Sequence, residues 1–198
     1  MVNTARIKNL LVSPRTEWPL IADHQTDTAG LYATHVIPLA AIGPLCSFLG
    51  LSILGVGLPM FGHYRVPLLS GLGHAVIGFV LTLAGVFILG KIISLLAPHF
   101  SAQTDEAQAL KLAAYSATPA WLGGVFQLLP SLAVLGLIAS LYSLYLLYIG
   151  LPLLMKAPAE KAGTYTLAVV GVAIVVGIVL GAISAALMPL PGFSPFRY

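Results

Sequence analysis

The sequence has very few charged residues for its length. Its 198 residues include nine Lys and Arg and six Asp and Glu, so that charged side chains make up 8% of the chain. A soluble domain carries about 25%, and so few charges cannot cover a water-facing surface of this size. Because hydrophobic residues make up 59% of the chain, the exterior must meet lipid. The composition therefore excludes both a soluble domain and a disordered chain.

Cysteine and clustered basic residues are also scarce. Cys46 is the single cysteine in the sequence, so an internal disulfide is excluded. The net charge of +3 comes from residues scattered along the chain rather than from one basic patch. We therefore expect no nucleic-acid partner, because nucleic-acid binding requires clustered positive charge.

Five apolar stretches are long enough, or nearly so, to cross a bilayer, which takes about 20 residues of helix. The block from 109 to 155 is too long for one crossing, and its one plausible break is Leu129-Pro130-Ser131, because Pro can open a new helix. The sequence predicts an all-α, polytopic membrane bundle at 31–198, preceded by an N-terminal segment at 1–30 that contains a short amphipathic helix. The predicted transmembrane helices are 33–58, 71–96, 109–129, 130–154 and 165–188.

The basic residues set the orientation of these five crossings. Two basic residues, Arg65 and Arg197, fall on one side of the five-crossing arrangement, and the other seven fall on the opposite side. If 109–129 did not cross, the division would be six to three, which is less clear. We therefore predict an inner membrane protein with a cytoplasmic N-terminus and its C-terminus on the opposite side. The seven are Arg6, Lys8, Arg15, Lys91, Lys111, Lys156 and Lys161.

The predicted spans contain few residues that could perform chemistry. No Asp or Glu lies within a span, and the histidines lack the fixed spacing of a metal-binding pair. Motifs of hydrolases, zinc proteases and phosphate-binding loops are absent from the sequence. We therefore expect neither an enzyme nor a bound cofactor or metal.

The N-terminal segment combines basic and apolar residues. Arg6 and Lys8 alternate with Ile7, Leu10 and Leu11, and Trp18 follows after Ser13-Pro14. Such a segment is typical of a helix that lies in the membrane interface on anionic headgroups. The alternative is a polar tail that folds against the bundle.

Tyrosines recur every three residues in the fourth span, at Tyr142, Tyr145 and Tyr148. Pro119 in the third span lacks the N–H that would bond the carbonyl of Tyr115. Counted from Pro130, Tyr145 lies at the depth of Tyr115, and Tyr142 lies at the depth of Thr118. We hypothesise that the tyrosine stripe faces the turn at 115–121 and satisfies the break. The alternative is a polar seam that lines a conduction path.

Small residues recur every four positions in the fifth span, at Ala173, Gly177, Gly181 and Ala185. Such a stripe lets two helix backbones approach closely in lipid. The sequence leaves two interpretations open: packing against another span of the same chain, and a dimer interface.

Several segments together resemble bacterial members of the Yip family, which are membrane proteins with a five-span domain. The segments are RIKNLL at 6–11, PLAAIGP at 38–44, YSATPAW at 115–121, LYSLYLLY at 141–148 and GLP at 150–152. The resemblance implies a five-span bundle with a cytoplasmic N-terminus and assigns no reaction to the motif residues. These residues are Lys111, Tyr115, Thr118, Pro119, Trp121, Tyr142, Tyr145, Tyr148 and Pro152.

In eukaryotes, the family includes endoplasmic reticulum and Golgi proteins that bind Rab-type GTPases and organise transport membranes. That role uses a longer hydrophilic N-terminal region than the segment at 1–30, so GTPase binding is not transferred to this chain. The expected function is that of a non-enzymatic protein that organises membrane or partner proteins. Its expected partners are bilayer lipid, anionic headgroups, and a second copy or another membrane protein. The alternative is a small transporter or channel with a path along the tyrosine stripe.

Overall fold

The computed structural model describes residues 3–58, 62–129 and 132–187. These residues form a helical bundle with one antiparallel strand pair. The helices are α1 Thr4–Val12, α2 Pro14–Asp23, α3 Thr28–Leu54, α4 Leu68–Leu96, α5 Glu106–Ser116, α6 Thr118–Gly123, α7 Ala133–Leu154 and α8 Ala159–Leu187. Two 3₁₀ turns follow α4 and α6, at Ala97–Phe100 and Gly124–Leu128, and the strands are β1 Val56–Leu58 and β2 Gly62–Tyr64.

Four of these helices are long and apolar enough to cross a membrane: α3, α4 with its 3₁₀ turn, α7 and α8. The predicted helical membrane bundle is therefore confirmed. The strand pair was not predicted. The segment predicted at 109–129 is helical but is divided into α5, α6 and a 3₁₀ turn. The predicted break at Pro130 and Ser131 lies outside the described residues.

The helix α3 contains two wider π-helical turns, at Tyr32–Val36 and Leu49–Leu54. Pro38 interrupts the regular hydrogen bonding of this helix because it has no N–H to donate. At its other end α3 stops before Gly55, whose φ of 77° lies in the left-handed region that favours glycine. The predicted end of this span at 58 is therefore wrong, because the chain turns at Gly55 and enters β1.

The short helices α1 and α2 form a hairpin, the N-terminal hairpin, that packs into the bundle. Leu10, Trp18 and Ile21 are almost completely buried, with exposed fractions of 0, 0 and 1%. The indole of Trp18 lies against Gly150 of α7. The prediction that Trp18 lies in the membrane interface is therefore wrong, since its apolar face packs against other helices of the same chain.

One end of the bundle is held together by polar contacts and is called here the charged end. Lys91 at the end of α4 pairs with Glu106 at the start of α5 at 2.6 Å. Lys161 of α8 donates a hydrogen bond to Ser101 at 2.8 Å. The hydroxyl of Tyr165 donates to the carbonyl of Ile93. The strand pair lies at the opposite end, where the N–H of Val66 donates to the carbonyl of Leu51.

The helix α8 is packed at the charged end and is open along the rest of its length. Val169 is fully buried, whereas Gly177 and Gly181 are exposed. A Cβ placed on Gly177 or Gly181 would meet no atom within 4 Å in the described part of the chain. The interpretation that this stripe packs against another span of the same chain is therefore wrong at these two glycines. The dimer interface stays a prediction.

Replacing Gly150 tests the packing of the N-terminal hairpin. A Cβ there would lie 2.7 Å from the Trp18 ring and 2.8 Å from a methyl carbon of Leu112. We expect Gly150→Ala to lower the free energy of unfolding by about 1–3 kcal/mol, the usual cost of overpacking. Thermal unfolding in detergent measures the effect. Gly171→Ala is the matched control, because its Cβ meets nothing within 4 Å in the described structure. Equal Tm values for the two variants would contradict this packing.

Candidate functional site

The N-terminal hairpin carries a buried carboxylate into the bundle. Glu17 lies on the inner face of α2 and is 4% exposed. Its Oε1 lies 3.3 Å from Nε of Arg6, which comes from the facing helix α1. A buried carboxylate needs such a partner, because removal from water strongly disfavours an uncompensated charge. The ion pair therefore lies within the hairpin and joins its two helices.

Beneath this ion pair, α3 and α6 meet through a second polar contact. Nε2 of His35 and Oγ1 of Thr118 share a hydrogen bond of 2.9 Å, and both side chains are buried. The imidazole ring lies 4.2 Å from the Tyr115 ring, centre to centre. The region that contains the Arg6–Glu17 and His35–Thr118 contacts is called here the polar interior.

A serine of α7 satisfies one of the free N–H groups at the start of α6, next to Pro119. The N–H of Ala120 donates to Oγ of Ser143 at 3.1 Å. In lipid, every freed backbone group needs a partner within the protein. Ser143 supplies that partner, and the contact of Thr118 with His35 fixes the adjacent side chain.

The tyrosine stripe does not face the turn at 115–121, and this hypothesis is wrong. The hydroxyl of Tyr142 donates to the carbonyl of Leu11, at the end of α1, over 2.7 Å. Tyr145 and Tyr148 are 41% and 48% exposed. The hairpin occupies the space beside Tyr142, and the other two rings point away from the interior. Tyr142 therefore anchors the N-terminal hairpin.

Lys111 holds the other end of the hairpin. Its Nζ donates to the main-chain carbonyls of Ile21, Ala22 and His24, at 3.3, 3.2 and 2.6 Å. Nε2 of Gln108 donates to the carbonyl of Ala22 as well, at 3.0 Å. The last carbonyls of a helix have no partner within it, so the buried ammonium of Lys111 caps α2. This contact gives a structural role to a residue that the family resemblance left without one.

The remaining motif residues lie around this interior or on the surface. Tyr115 is buried beside His35, while Trp121 in α6 and Pro152 in α7 are half-buried. The guanidinium of Arg6 pairs with Glu17, whereas Lys8 is exposed, and an interfacial position for these two residues stays a prediction.

Sequence reasoning missed Glu17, His35 and Ser143. One signal could have revealed Glu17: it directly precedes Trp18, a residue that suits a buried helix face as well as a membrane interface.

The polar contacts of this interior hold helices together. The contact between His35 and Thr118 pairs a base with a hydroxyl, as catalysis by a nucleophile would need. However, Thr118 is fully buried, so a substrate cannot reach its oxygen in this conformation. Within 3–58, 62–129 and 132–187, no group of three His, Cys, Asp or Glu side chains could hold a metal ion. The contacts described join α1 and α2 to α3, α5 and α7.

Comparisons with known proteins agree with this membrane architecture. The sequence model of the Yip1 domain matches residues 8–181, and so confirms the resemblance seen in the motifs. The chain is similar to Inner membrane protein YohC of Escherichia coli K12 and to the protein of the same name from Escherichia coli O6:H1. Each is 27% identical over 186 residues, which cover 92% of this chain and 95% of the relative. No solved structure matches the chain.

Removing the ammonium of Lys111 should release the end of α2. Lys111→Met leaves the carbonyls of Ile21 and His24 without this donor, while the carbonyl of Ala22 keeps its bond from Gln108, and we expect a loss of about 1–3 kcal/mol in stability. Limited trypsin digestion should then cut faster after Arg15, which lies in the N-terminal hairpin. Lys161→Met is the control, because Lys161 is exposed and bonds only Ser101 among the described residues. Unchanged digestion of the Lys111 variant would show that these contacts do not hold the hairpin.

The tyrosines give a second test of the same docking. Tyr142→Phe removes the hydrogen bond to Leu11 and should lower the free energy of unfolding by about 1 kcal/mol. Tyr145→Phe should leave stability unchanged, because the Tyr145 ring is 41% exposed. Thermal unfolding of both variants in detergent separates the two residues. A larger loss for Tyr145 than for Tyr142 would contradict the observed arrangement.

Proposed function

This chain belongs to the Yip1 domain family, and we propose that it is a non-enzymatic inner membrane protein that organises the membrane or its protein partners. The name of the two E. coli relatives supports the location. The observation that carries the role is the docking of the N-terminal hairpin: its residues Leu10, Trp18 and Ile21 are buried among the helices, and the hydroxyl of Tyr142, on the tyrosine stripe, bonds its Leu11 carbonyl. The outer face of α8 remains free for lateral contacts.

The proposed topology has five crossings, with α5, α6 and the following 3₁₀ turn as the third. At one end of this segment, Glu106 pairs with Lys91 at the charged end. At the other, the carbonyl of Leu128 lies against Gly50, near the end of α3. A helical segment of this length spans about 35 Å, and a hydrocarbon core is about 30 Å thick. The buried surface of α5 supports a central, lipid-shielded position.

Five crossings put the two termini on opposite sides of the membrane. The positive-inside rule then places the charged end and the N-terminal hairpin at the cytoplasmic face. Lys8, Arg15 and Lys156 are exposed, so these cations, rather than Trp18, are the groups that would contact anionic headgroups.

The alternative function is a transporter or channel with its path along the tyrosine stripe. The structure favours this alternative less, because Tyr142 is bonded to the hairpin and Tyr145 and Tyr148 face outward. A path along these rings would open to lipid. Binding of a Rab-type GTPase is not part of the proposal.

The proposed contact surface for a partner is the outer face of α8. A Cβ on Gly177 or Gly181 would meet no atom of the described chain within 4 Å, and Gly181 also borders an open cavity between α8 and α4. The two glycines are flanked by exposed apolar residues, which include Ile174 and Ile178. In lipid, helices associate through close backbone approach at such small residues. A second copy or another membrane protein could pack here without displacing any contact of the chain itself.

Site-specific cross-linking in native membranes tests this function. In a Cys46→Ser background, a photoreactive maleimide attached to Gly181→Cys should yield protein adducts. The same reagent at Val80→Cys, on the exposed face of α4, should yield only lipid adducts; Val80 is 55% exposed. Mass spectrometry of the adducts identifies the partner, and a liposome flux screen runs beside it. Specific solute flux by the purified protein, without α8 adducts, would contradict an organising role.

A further inference from the structure

The N-terminal hairpin runs along the apolar helix α7, and two contacts fix its position there. The Trp18 ring of α2 lies beside Gly150, four residues before the end of α7 at Leu154. The carbonyl of Leu11, near the end of α1, accepts a hydrogen bond from the hydroxyl of Tyr142. Because Tyr142 precedes Gly150 by eight residues, the hairpin extends about 12 Å along α7.

The contact with Tyr142 places the turn of the hairpin deep in the bilayer. The N–H of Gln103 donates to the carbonyl of Met155, so α7 ends at the charged end of the bundle. The 22 residues of α7 span about 33 Å, and a hydrocarbon core is about 30 Å thick. Tyr142 lies about 18 Å from the last residue of α7, which is near the middle of the bilayer. Its hydrogen bond holds the end of α1 at that depth.

The other end of the hairpin stays at the charged end. Lys111, which caps the last carbonyls of α2, follows Glu106 by five residues, and Glu106 pairs with Lys91 at the charged end. The ten residues of α2 cover about 15 Å, enough to connect the turn with this end. In α1, Arg6 faces Glu17 of α2, so the two helices run in opposite directions. The hairpin thus enters and leaves the bilayer on the same side.

The inserted hairpin carries two cations on its outer surface. Arg15 lies in the first turn of α2 and is exposed. Counted along α2 from Trp18, it lies about 5 Å farther into the bilayer, and so about 10 Å from the end of α7. Lys8 is also exposed, and it lies on α1 between Arg6 and Leu11. Both cations therefore start from backbone positions below the membrane surface.

Neither cation has an ion-pair partner in the part of the chain that the structure describes. Glu17 is the acid nearest to both in sequence, and it is buried and paired with Arg6. The second ion pair among the described residues joins Lys91 to Glu106, away from the hairpin. A cation among acyl chains is costly, so these side chains need an anion that the bilayer itself supplies.

The phosphate of a phospholipid is the anion that fits this position. A guanidinium donates two parallel hydrogen bonds to phosphate oxygens, and long basic side chains extend towards the headgroups. Val12 and Leu20 are exposed on the same hairpin and can contact the acyl chains of that lipid. A lipid with net negative charge fits best, because basic residues are attracted to anionic headgroups. A soluble anion would have to leave water to reach this depth.

We propose that the N-terminal hairpin is a re-entrant element that binds anionic phospholipids of the leaflet it enters, with Lys8 and Arg15 on their phosphates. The binding rests on the proposed membrane topology. It deepens the proposed organising role, because it names a lipid class that the protein gathers. The face of α8 takes no part in it.

The depth of the hairpin is measured with a bimane label on the full-length protein in vesicles of phosphatidylcholine and phosphatidylglycerol. In a Cys46→Ser background, the label is attached at Val12→Cys, beside the turn, or at Leu20→Cys, near the end of α2; both side chains are exposed. Nitroxides at defined positions on the acyl chains report the depth of each label. We expect the label at 12 to lie about 10 Å deeper than the label at 20. Equal depths would overturn the proposal.

Quenching by brominated lipids at the Val12→Cys label tests the phosphate contacts. Brominated phosphatidylglycerol and brominated phosphatidylcholine are compared at equal mole fraction. We expect the anionic lipid to be enriched beside the label about fivefold for each cation, the usual effect of a basic residue near an anionic surface. Arg15→Gln should lower this enrichment about fivefold.

Lys156→Gln is the matched control for the lost charge. Lys156 is exposed and lies between α7 and α8, outside the hairpin. We expect this variant to keep the parental enrichment. Equal quenching of the parent by the two lipids, or equal losses in the Arg15 and Lys156 variants, would contradict binding by the hairpin.

A soluble phosphate distinguishes a site within the leaflet from one in water. Glycerol 3-phosphate is added in millimolar excess to the same vesicles. Unchanged quenching supports lipid binding at depth, whereas displacement of the anionic lipid would place the cations in water and refute the proposal. These measurements do not involve a partner on α8, so they and the cross-linking experiment can fail independently.

Discussion

Lys111 and Tyr142 fasten the two ends of the N-terminal hairpin, and the rest of the interior depends on this docking. Lys111 donates to three carbonyls at the end of α2, and Tyr142 donates to the carbonyl of Leu11 at the end of α1. The underlying constraint is that polar groups removed from water must find partners within the protein. Here helix ends, which carry unpaired carbonyls, are matched to donors on α5 and α7.

The same constraint explains why a broken helix can stand at the centre of the bundle. The segment that begins with α5 is interrupted between Ser116 and Thr118, and the N–H of Ala120, in the first turn of α6, donates to Oγ of Ser143. The hydroxyl of Thr118 shares a hydrogen bond with Nε2 of His35. Because these partners come from α7 and α3, the break is stable only when both helices are in place. The break thus couples the position of α6 to its neighbours.

The sequence reasoning succeeded where one segment alone carries the signal, and it failed where two segments must meet. The long apolar helices were predictable, because hydropathy measures the transfer of each residue into lipid. The partner of Tyr142 was not, since the tyrosine and Leu11 are 131 residues apart. Depth matching placed Tyr145 beside Tyr115, but it could not tell which face of α7 turns inward. Trp18 was misplaced for a similar reason: a Trp on an amphipathic helix suits a membrane interface and a protein interior equally well.

The sequence by itself determined that this is a helical membrane protein, because a chain with so few charges and such long apolar stretches must expose its surface to lipid. Its motifs, and the match of the Yip1 domain model to residues 8–181, determined the family. The sequence also determined which residues are conspicuous: the tyrosines, the prolines and Lys111. Only the tertiary structure decided what they do. It paired Glu17 with Arg6 inside the bundle, bonded Tyr142 to the carbonyl of Leu11 and turned Tyr145 outward. Composition indicates how favourably each single residue transfers from water into lipid. These outcomes depend instead on which groups from distant segments come within hydrogen-bonding distance.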